Sequence, residues 1–215
     1  MNKAAERITI AGHAGALELL IEAPAHIQGI GLVAHPHPLF GGTMDNKVAF
    51  TLARALRDLG YVAVRSNFRG VGKSEGEHDD GRGETEDMLW VLDYAKARFG
   101  DLPVALAGFS FGAYVQSLVA KRLKDEGRPA ARMVLVGTAA GMVTGARRYM
   151  TEGVPPDALV IHGNQDETVP LENVIAWAQP QDLPIVLVPG ADHFFHGKLH
   201  TLKAIIHRAW APRLP

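Results

Sequence analysis

The chain has no cysteine among its 215 residues. That absence removes disulfide frameworks, thiol nucleophiles, cysteine-ligated zinc and iron–sulfur clusters together. Nor is there an excess of charge of either sign: 22 Lys and Arg stand against 23 Asp and Glu, a formal net charge of −1. Nucleic-acid and anionic-membrane binders draw their affinity from a basic surface, so neither partner is expected. Long hydrophobic runs are missing too. Nowhere do about 18 apolar residues follow one another, as a membrane span requires. The opening MNKAAERITIAGHAGALELL lacks an apolar stretch followed by a small-residue cleavage site. A soluble, cytoplasmic protein is the expectation.

What is present suffices for a core. Hydrophobic residues make up 47% and charged residues 21% of the chain, which favours folding over disorder. The length fits one domain over residues 1–215. Two β-rich runs, Glu6–Ala11 and Ala16–Glu22, flank Gly12-His13-Ala14-Gly15, a glycine-bounded segment suited to a hairpin turn. Beyond them, short apolar strands alternate with helical periods, the pattern of βαβ units and a mostly parallel sheet with helices on both faces. Strands are expected at Ile30–His35, Tyr61–Ser66, Val104–Phe109, Met133–Gly137, Ala158–His162 and Ile185–Val188. Helices are expected at Asn46–Leu59, Glu84–Phe99, Phe111–Asp125, Leu171–Trp177 and Lys198–Trp210. In the first, Val48, Leu52, Ala55 and Leu59 form one apolar stripe that Gly60 ends. Thr138–Asp157 shows no clear period and reads as a loop with one irregular helical turn, although its Arg147-Arg148-Tyr149 could carry function. The acidic Glu75–Asp80 stretch reads as a solvated surface.

One segment carries chemistry. Strand Val104–Ala107 runs into Gly108-Phe109-Ser110-Phe111-Gly112 and then directly into a helical pattern. Gly-x-Ser-x-Gly in that setting forms a sharp strand-to-helix turn that lifts the serine oxygen clear of the sheet. Its bland reading is a tight turn with a helix-capping serine. A serine hydroxyl is a weak nucleophile and needs a base, which in turn needs an orienting acid. Both are available after later strands: Asp166 in Gly163–Pro170, and His193 in Pro189–Phe195. All three then lie beyond the carboxyl edge of the sheet, where open α/β folds bind ligands.

The order Ser110, Asp166, His193, with His-Gly-x-x-Asp-x-x-Val-Pro around the acid and Gly-x-x-His around the base, resembles the α/β-hydrolase superfamily. The loop His35–Asn46 and the stretch Asn67–Gly76 are similar to those of small, lid-less bacterial esterases related to dienelactone hydrolase. The resemblance runs from about Arg7 to Trp210. It implies a sheet of about eight strands with an N-terminal antiparallel hairpin and no cap domain. It also implies Ser110 as nucleophile, His193 as general base and Asp166 as the carboxylate that orients it. Asp192, Asp157 and His196 are rival positions, while His200 and His207 read as surface or packing residues. Two backbone N–H groups should form an oxyanion hole. Phe111, just after the nucleophile, supplies one. Pro36 and Pro38 have no N–H, so His37 or Leu39 supplies the other, and Pro36 departs from the glycine usual in relatives.

His35-x-His37 could be read as a metal pair, but no third ligand of suitable spacing is near, and neither metal nor organic cofactor is expected. Gly41-Gly42 lacks the Lys and Ser/Thr of a phosphate loop. Arg69 reads as a loop buttress. Twenty residues between 138 and 157 are too few for a multi-helix lid. An open apolar rim of Leu39, Phe40, Phe109, Met142 and Phe194, with Phe111 and Phe195 nearby, is therefore expected. The expected activity is hydrolysis of small or short-chain carboxylic esters through an acyl-enzyme, in a monomer or homodimer. Alternatives are a thioesterase, acyltransferase or peptidase on the same triad, or a non-catalytic binding module. Dehalogenase chemistry would need aspartate at the elbow, where dienelactone hydrolases commonly carry cysteine.

Overall fold

The computed structural model describes residues 5–145 and 147–211; the outermost residues of the expected 1–215 domain lie outside them. The elements in chain order are β1 (Glu6–Gly12), β2 (Gly15–Glu22), β3 (Gly29–Ala34), α1 (Lys47–Asp58), β4 (Tyr61–Ser66), α2 (Arg82–Phe99), β5 (Val104–Phe109) and α3 (Phe111–Asp125). They continue with β6 (Arg132–Val136), β7 (Gly141–Val143), β8 (Arg147–Tyr149), β9 (Leu159–Gly163), α4 (Leu171–Ala178), β10 (Ile185–Val188) and α5 (Leu199–Trp210).

Eight strands form one sheet in the order β1-β2-β4-β3-β5-β6-β9-β10. From β4 to β10 every pairing is parallel, whereas β2 runs against both β1 and β4. The central strands are buried on both faces, which is why they read as unbroken apolar runs rather than alternating ones. In β5 the two-residue period sorts them: Leu106 packs with α2 and α3 on one face, Ala105 and Ala107 with α1 and α5 on the other. Each fully buried leucine or isoleucine in these layers contributes about 1.5–3 kcal/mol.

α1 illustrates how the chain reaches that arrangement. Asn46 caps it, its side-chain oxygen accepting the N–H groups of Val48 and Ala49 at 2.9 and 3.4 Å. Val48, Leu52, Ala55 and Leu56 bury one stripe, and Gly60 leaves the helix at φ +88°, a left-handed turn that costs glycine little.

The sheet order reverses around β3, which has β4 on one side and β5 on the other. Loops after β3 and β5 therefore diverge and open a crevice at the carboxyl edge. Thr138–Asp157 departs from the expected helical turn. It contains an antiparallel hairpin, β7 with β8, in which Gly141 pairs with Tyr149 and Val143 with Arg147. Gly141 and Gly145 sit at φ +62° and +87°, conformations that interrupt a helix, and buried Tyr149 anchors the hairpin against Phe111 and Tyr114. No helix among the described residues is long and apolar enough to cross a membrane.

Candidate active site

At the end of β5 the chain turns sharply into α3. Ser110 takes φ 56° and ψ −119°, a conformation that costs a non-glycine residue about 1–3 kcal/mol. Hydrogen bonds hold it there: its N–H donates to Val136 O at 2.9 Å, and its carbonyl accepts from Ala113 N at 2.9 Å. The flanking glycines are required by contact. A Cβ on Gly112 would lie 2.3 Å from Ala34 O, and one on Gly108 would lie 2.5 Å from Gly112 O. The serine oxygen is thereby raised at the first turn of α3, beside the Phe111 N–H, which as the first helical amide has no acceptor within the helix.

The loops after β9 and β10 bring the acid and base to it. His193 Nε2 lies 3.0 Å from Ser110 Oγ, and Nδ1 lies 2.7 Å from Asp166 Oδ2. The other Asp166 oxygen accepts the N–H groups of Thr168 and Val169 at 2.9 and 2.8 Å, which orients the carboxylate. A carboxylate only accepts, so the imidazole proton resides on Nδ1, and Nε2 is left to accept from the serine hydroxyl. The two loops are tied to each other: Gly190 N donates to Asn164 Oδ1 at 2.7 Å, and Gln165 N to Ala191 O at 3.0 Å. Phe109 and Phe194 pack on the His193 ring. Beneath the acid, His162 is fully buried, its Nε2 3.1 Å from Val169 O and 3.7 Å from Asp166 Oδ2. Burial holds its pKa below the ordinary histidine value against the pull of the Asp166 carboxylate.

A third loop, from His35 to Asn46, faces the serine. His35 Nδ1 donates to Pro36 O at 2.6 Å and Nε2 accepts from Phe68 N at 2.9 Å, so both ring nitrogens serve the loop and neither is left to ligate a metal. Burial lowers its pKa to about 4. Leu39 N–H donates to His37 Nδ1 at 3.2 Å. The His37 ring lies among Phe40, His78 and Phe111, with its pKa lowered to about 4 by burial first and by the His78 and Arg147 charges next. Farther along, Met44 is held from both sides by residues on and just after β4: Arg65 Nη1 donates to its carbonyl at 2.8 Å, and its N–H donates to Asn67 Oδ1 at 2.9 Å. Gly42 passes so close to Pro36 O that a Cβ would approach to 2.1 Å.

Between these loops lies a cavity of about 90 Å³, lined by Ser110 and His193 together with His37, Phe40, Arg147 and Tyr149 among others. A hydroxyl, a base poised to take its proton, a buried carboxylate and a helix-start amide thus converge on one small space. That arrangement can add an oxygen nucleophile to a carbonyl carbon.

The model of the α/β-hydrolase fold family matches residues 37–156. The chain belongs to the α/β-hydrolase family. Among solved structures, this hydrolase is similar over 100% of its length to a lid-less α/β serine hydrolase of Xanthomonas campestris (33% identity, 99% of that chain, TM-score 0.86). It is also similar over 97% of both chains to an α/β serine hydrolase homologue of Coxiella burnetii, with 41% identity and a TM-score of 0.81. An uncharacterised protein of Rickettsia prowazekii is 32% identical over 83% of this chain and 76% of its own. Longer relatives match only in part: the chain spans 28% of the lysophosphatidylserine lipase ABHD12 of Danio rerio, at 34% identity over 106 residues.

Several expected positions are placed elsewhere in this α/β hydrolase. Leu39 and Met142 are 69% and 50% exposed and do not line the cavity, because the loop at 38–40 and the hairpin turn those side chains outward. Phe109 is fully buried beneath His193 and Phe194, and Phe111 and Phe195 belong to the core; none of these three lines the cavity, whereas Phe40 and Phe194 do. His196 and Asp192 pair with one another at 2.6 Å on the surface, away from Ser110. Asp157 and His200 are exposed. Arg69 makes a two-pronged ion pair with Asp87, 2.8 Å at each contact. Within the acidic stretch, His78 is not a solvated residue: it folds under His37 with Nδ1 2.7 Å from buried Glu84. Asn46, Val143, Thr168 and Val169 line the cavity without having been foreseen. Asn46, at the end of the His35–Asn46 loop, and Val169, in the Val-Pro that follows the acid, sat in motifs that could have announced them.

Proposed function

We propose that this α/β hydrolase is a serine carboxylesterase acting on short-chain or small esters. The observation that carries the reading is the continuous Ser110–His193–Asp166 hydrogen-bond chain opening into a small cavity. Ser110 Oγ adds to the ester carbonyl carbon as His193 Nε2 takes its proton. The carbonyl oxygen gains charge and rests on backbone N–H groups. Collapse expels the alcohol, which leaves with the proton from His193. A water molecule, giving its proton to the same nitrogen, then releases the acid and restores the serine hydroxyl.

Phe111 supplies one oxyanion donor. For the second, the loop favours His37 over Leu39, because the Leu39 N–H is already committed to the His37 imidazole. Each such donor contributes about 3–4 kcal/mol to the rate in comparable enzymes. The neutral His37 ring, held unprotonated by its surroundings, keeps a competing charge out of that pocket.

A fluorophosphonate probe tests the reading. Labelling of the folded protein that disappears in Ser110→Ala supports it, and its absence from well-folded wild type overturns it. The size of the cavity supports short acyl groups. Faster initial rates on twelve-carbon than on four-carbon acyl esters would count against that part.

A further inference from the structure

Among the described residues that line the cavity beside Ser110, permanent charge is of one sign, while the exposed Asp80 carboxylate acts on His37 and Tyr149 from outside the lining. Arg147, at the start of β8, is the single residue with a permanent charge among those that line it; Asp166 is screened behind His193. His37 is held neutral there, so it adds no second cation. The guanidinium is positioned rather than free: its Cζ lies over the Phe40 ring, 4.0 Å from the centroid, and Nη2 donates to Thr144 O at 2.8 Å. Stacking and tethering reduce the rotamer entropy that an arginine loses on meeting a ligand. Neither contact neutralises it. Its Nε is shielded from solvent and has no hydrogen-bond partner among the described residues, and the guanidinium also faces the Tyr149 hydroxyl, a neutral group. No carboxylate pairs with Arg147 among the ion pairs of the described residues.

The opposite side of His193 has the reverse sign. There an open trough is lined by Glu167 and Asp192 together with Asn164 and Thr168. Phe194, Thr168 and His193 border both spaces, so the cationic cavity and the acidic trough lie on either side of the His193 ring, with Ser110 on the cavity side. A substrate lying across Ser110 therefore experiences a field running from positive to negative. An anionic end is attracted to Arg147 and repelled from the trough.

From this we infer that the physiological ester carries an anionic group, a carboxylate or a phosphate, close to the scissile bond, and that Arg147 is the specificity-determining residue that receives it. The inference rests on the esterase reading. The β7–β8 hairpin then has a role in the site: it delivers one guanidinium to a lining whose other described residues carry no permanent charge. Arginine's planar fork suits either oxyanion, since both offer paired acceptor oxygens.

Isosteric ester pairs decide it. Monoethyl succinate is compared with ethyl 4-methylpentanoate, where an isopropyl group replaces the carboxylate on the acyl side. Acetoxyacetate is compared with isobutyl acetate, which makes the same exchange on the alcohol side. Release of acid is followed for wild type, Arg147→Met, Arg147→Glu and, as control, Arg148→Met, an exposed neighbour that does not line the cavity. In at least one pair, wild type and Arg148→Met should favour the anionic ester in kcat/KM by about tenfold or more. Arg147→Met should erase that preference, and Arg147→Glu should reverse it. Whichever pair responds tells on which side of the ester the anion lies. Equal or better use of the neutral partner in both pairs, or a preference that survives Arg147→Met, overturns the inference. Hydrolysis of p-nitrophenyl butyrate that depends on Ser110 separates the two failures. With it present and the ratios flat, only the anion assignment falls; with it absent, the esterase reading falls and the assignment with it.

Discussion

Two histidine–carboxylate pairs use histidines three residues apart on the loop after β10, and they differ in nearly everything except their length. His193 and Asp166 approach to 2.7 Å with side chains 6% and 0% exposed; His196 and Asp192 approach to 2.6 Å at 72% and 45%. The first pair joins two distant loops, and its far nitrogen faces a serine. The second is local, four residues apart, and its carboxylate also caps the His196 N–H at 3.0 Å. Distance alone therefore says little about function. What separates the pairs is burial, which keeps water from competing for the carboxylate, and the third partner that burial makes available.

Substitutions should widen that difference. Ser110→Ala or His193→Ala should lower kcat on a short-chain aryl ester by about 10⁴–10⁶-fold with the fold retained by circular dichroism, whereas His196→Ala should change it less than about twofold. Asp166→Asn should cost somewhat less, about 10³–10⁴-fold, because it leaves the serine and imidazole in place but offers the wrong hydrogen-bonding partner to Nδ1. Asp192→Asn should again be nearly silent in the same assay.

A buried histidine that has no carboxylate partner sharpens the contrast further. The pKa of His35 is lowered from 6.5 to about 4 by burial. Below pH 6.5 the unfolded chain takes up a proton there that the folded chain refuses. Stability should therefore fall as pH drops from 6.5 towards 4, by up to about 3 kcal/mol from this residue, and level off below. Urea melts across that range read the slope, and His35→Asn should flatten it. A slope of opposite sign would show that the buried ring is not held neutral. The smallest effect belongs to the exposed pair: His196→Ala should shift stability at pH 7 by no more than about 0.5 kcal/mol, as surface ion pairs do.

Much of this was legible beforehand, and the reasons are local. Continuous apolar runs such as Val104–Phe109 announced strands covered on both sides, and the stripe of α1 with Asn46 before it and Gly60 after it announced that helix. Gly108 and Gly112 flanked Ser110 because only a missing Cβ lets β3 and α3 pass so close. The rim was harder. Leu39, Phe109 and Met142 were named for their apolarity, yet hydrophobic character does not tell whether a side chain faces a cavity, the core or solvent. The hairpin β7–β8 escaped notice because strands of three residues are too short to show a period.

By itself, the order of residues determined the strand–helix alternation and the strained turn under Ser110, since each depends on neighbours within a few positions along the chain. Tertiary structure brought His193 to the serine and left His196, three residues on, at the surface. It also carried Arg147 to the cavity's edge, over the Phe40 ring. Those outcomes depend on where separate loops land once the sheet has formed, and on the burial that follows. Neither is written in local spacing, because the contacts that decide them join segments tens of residues apart.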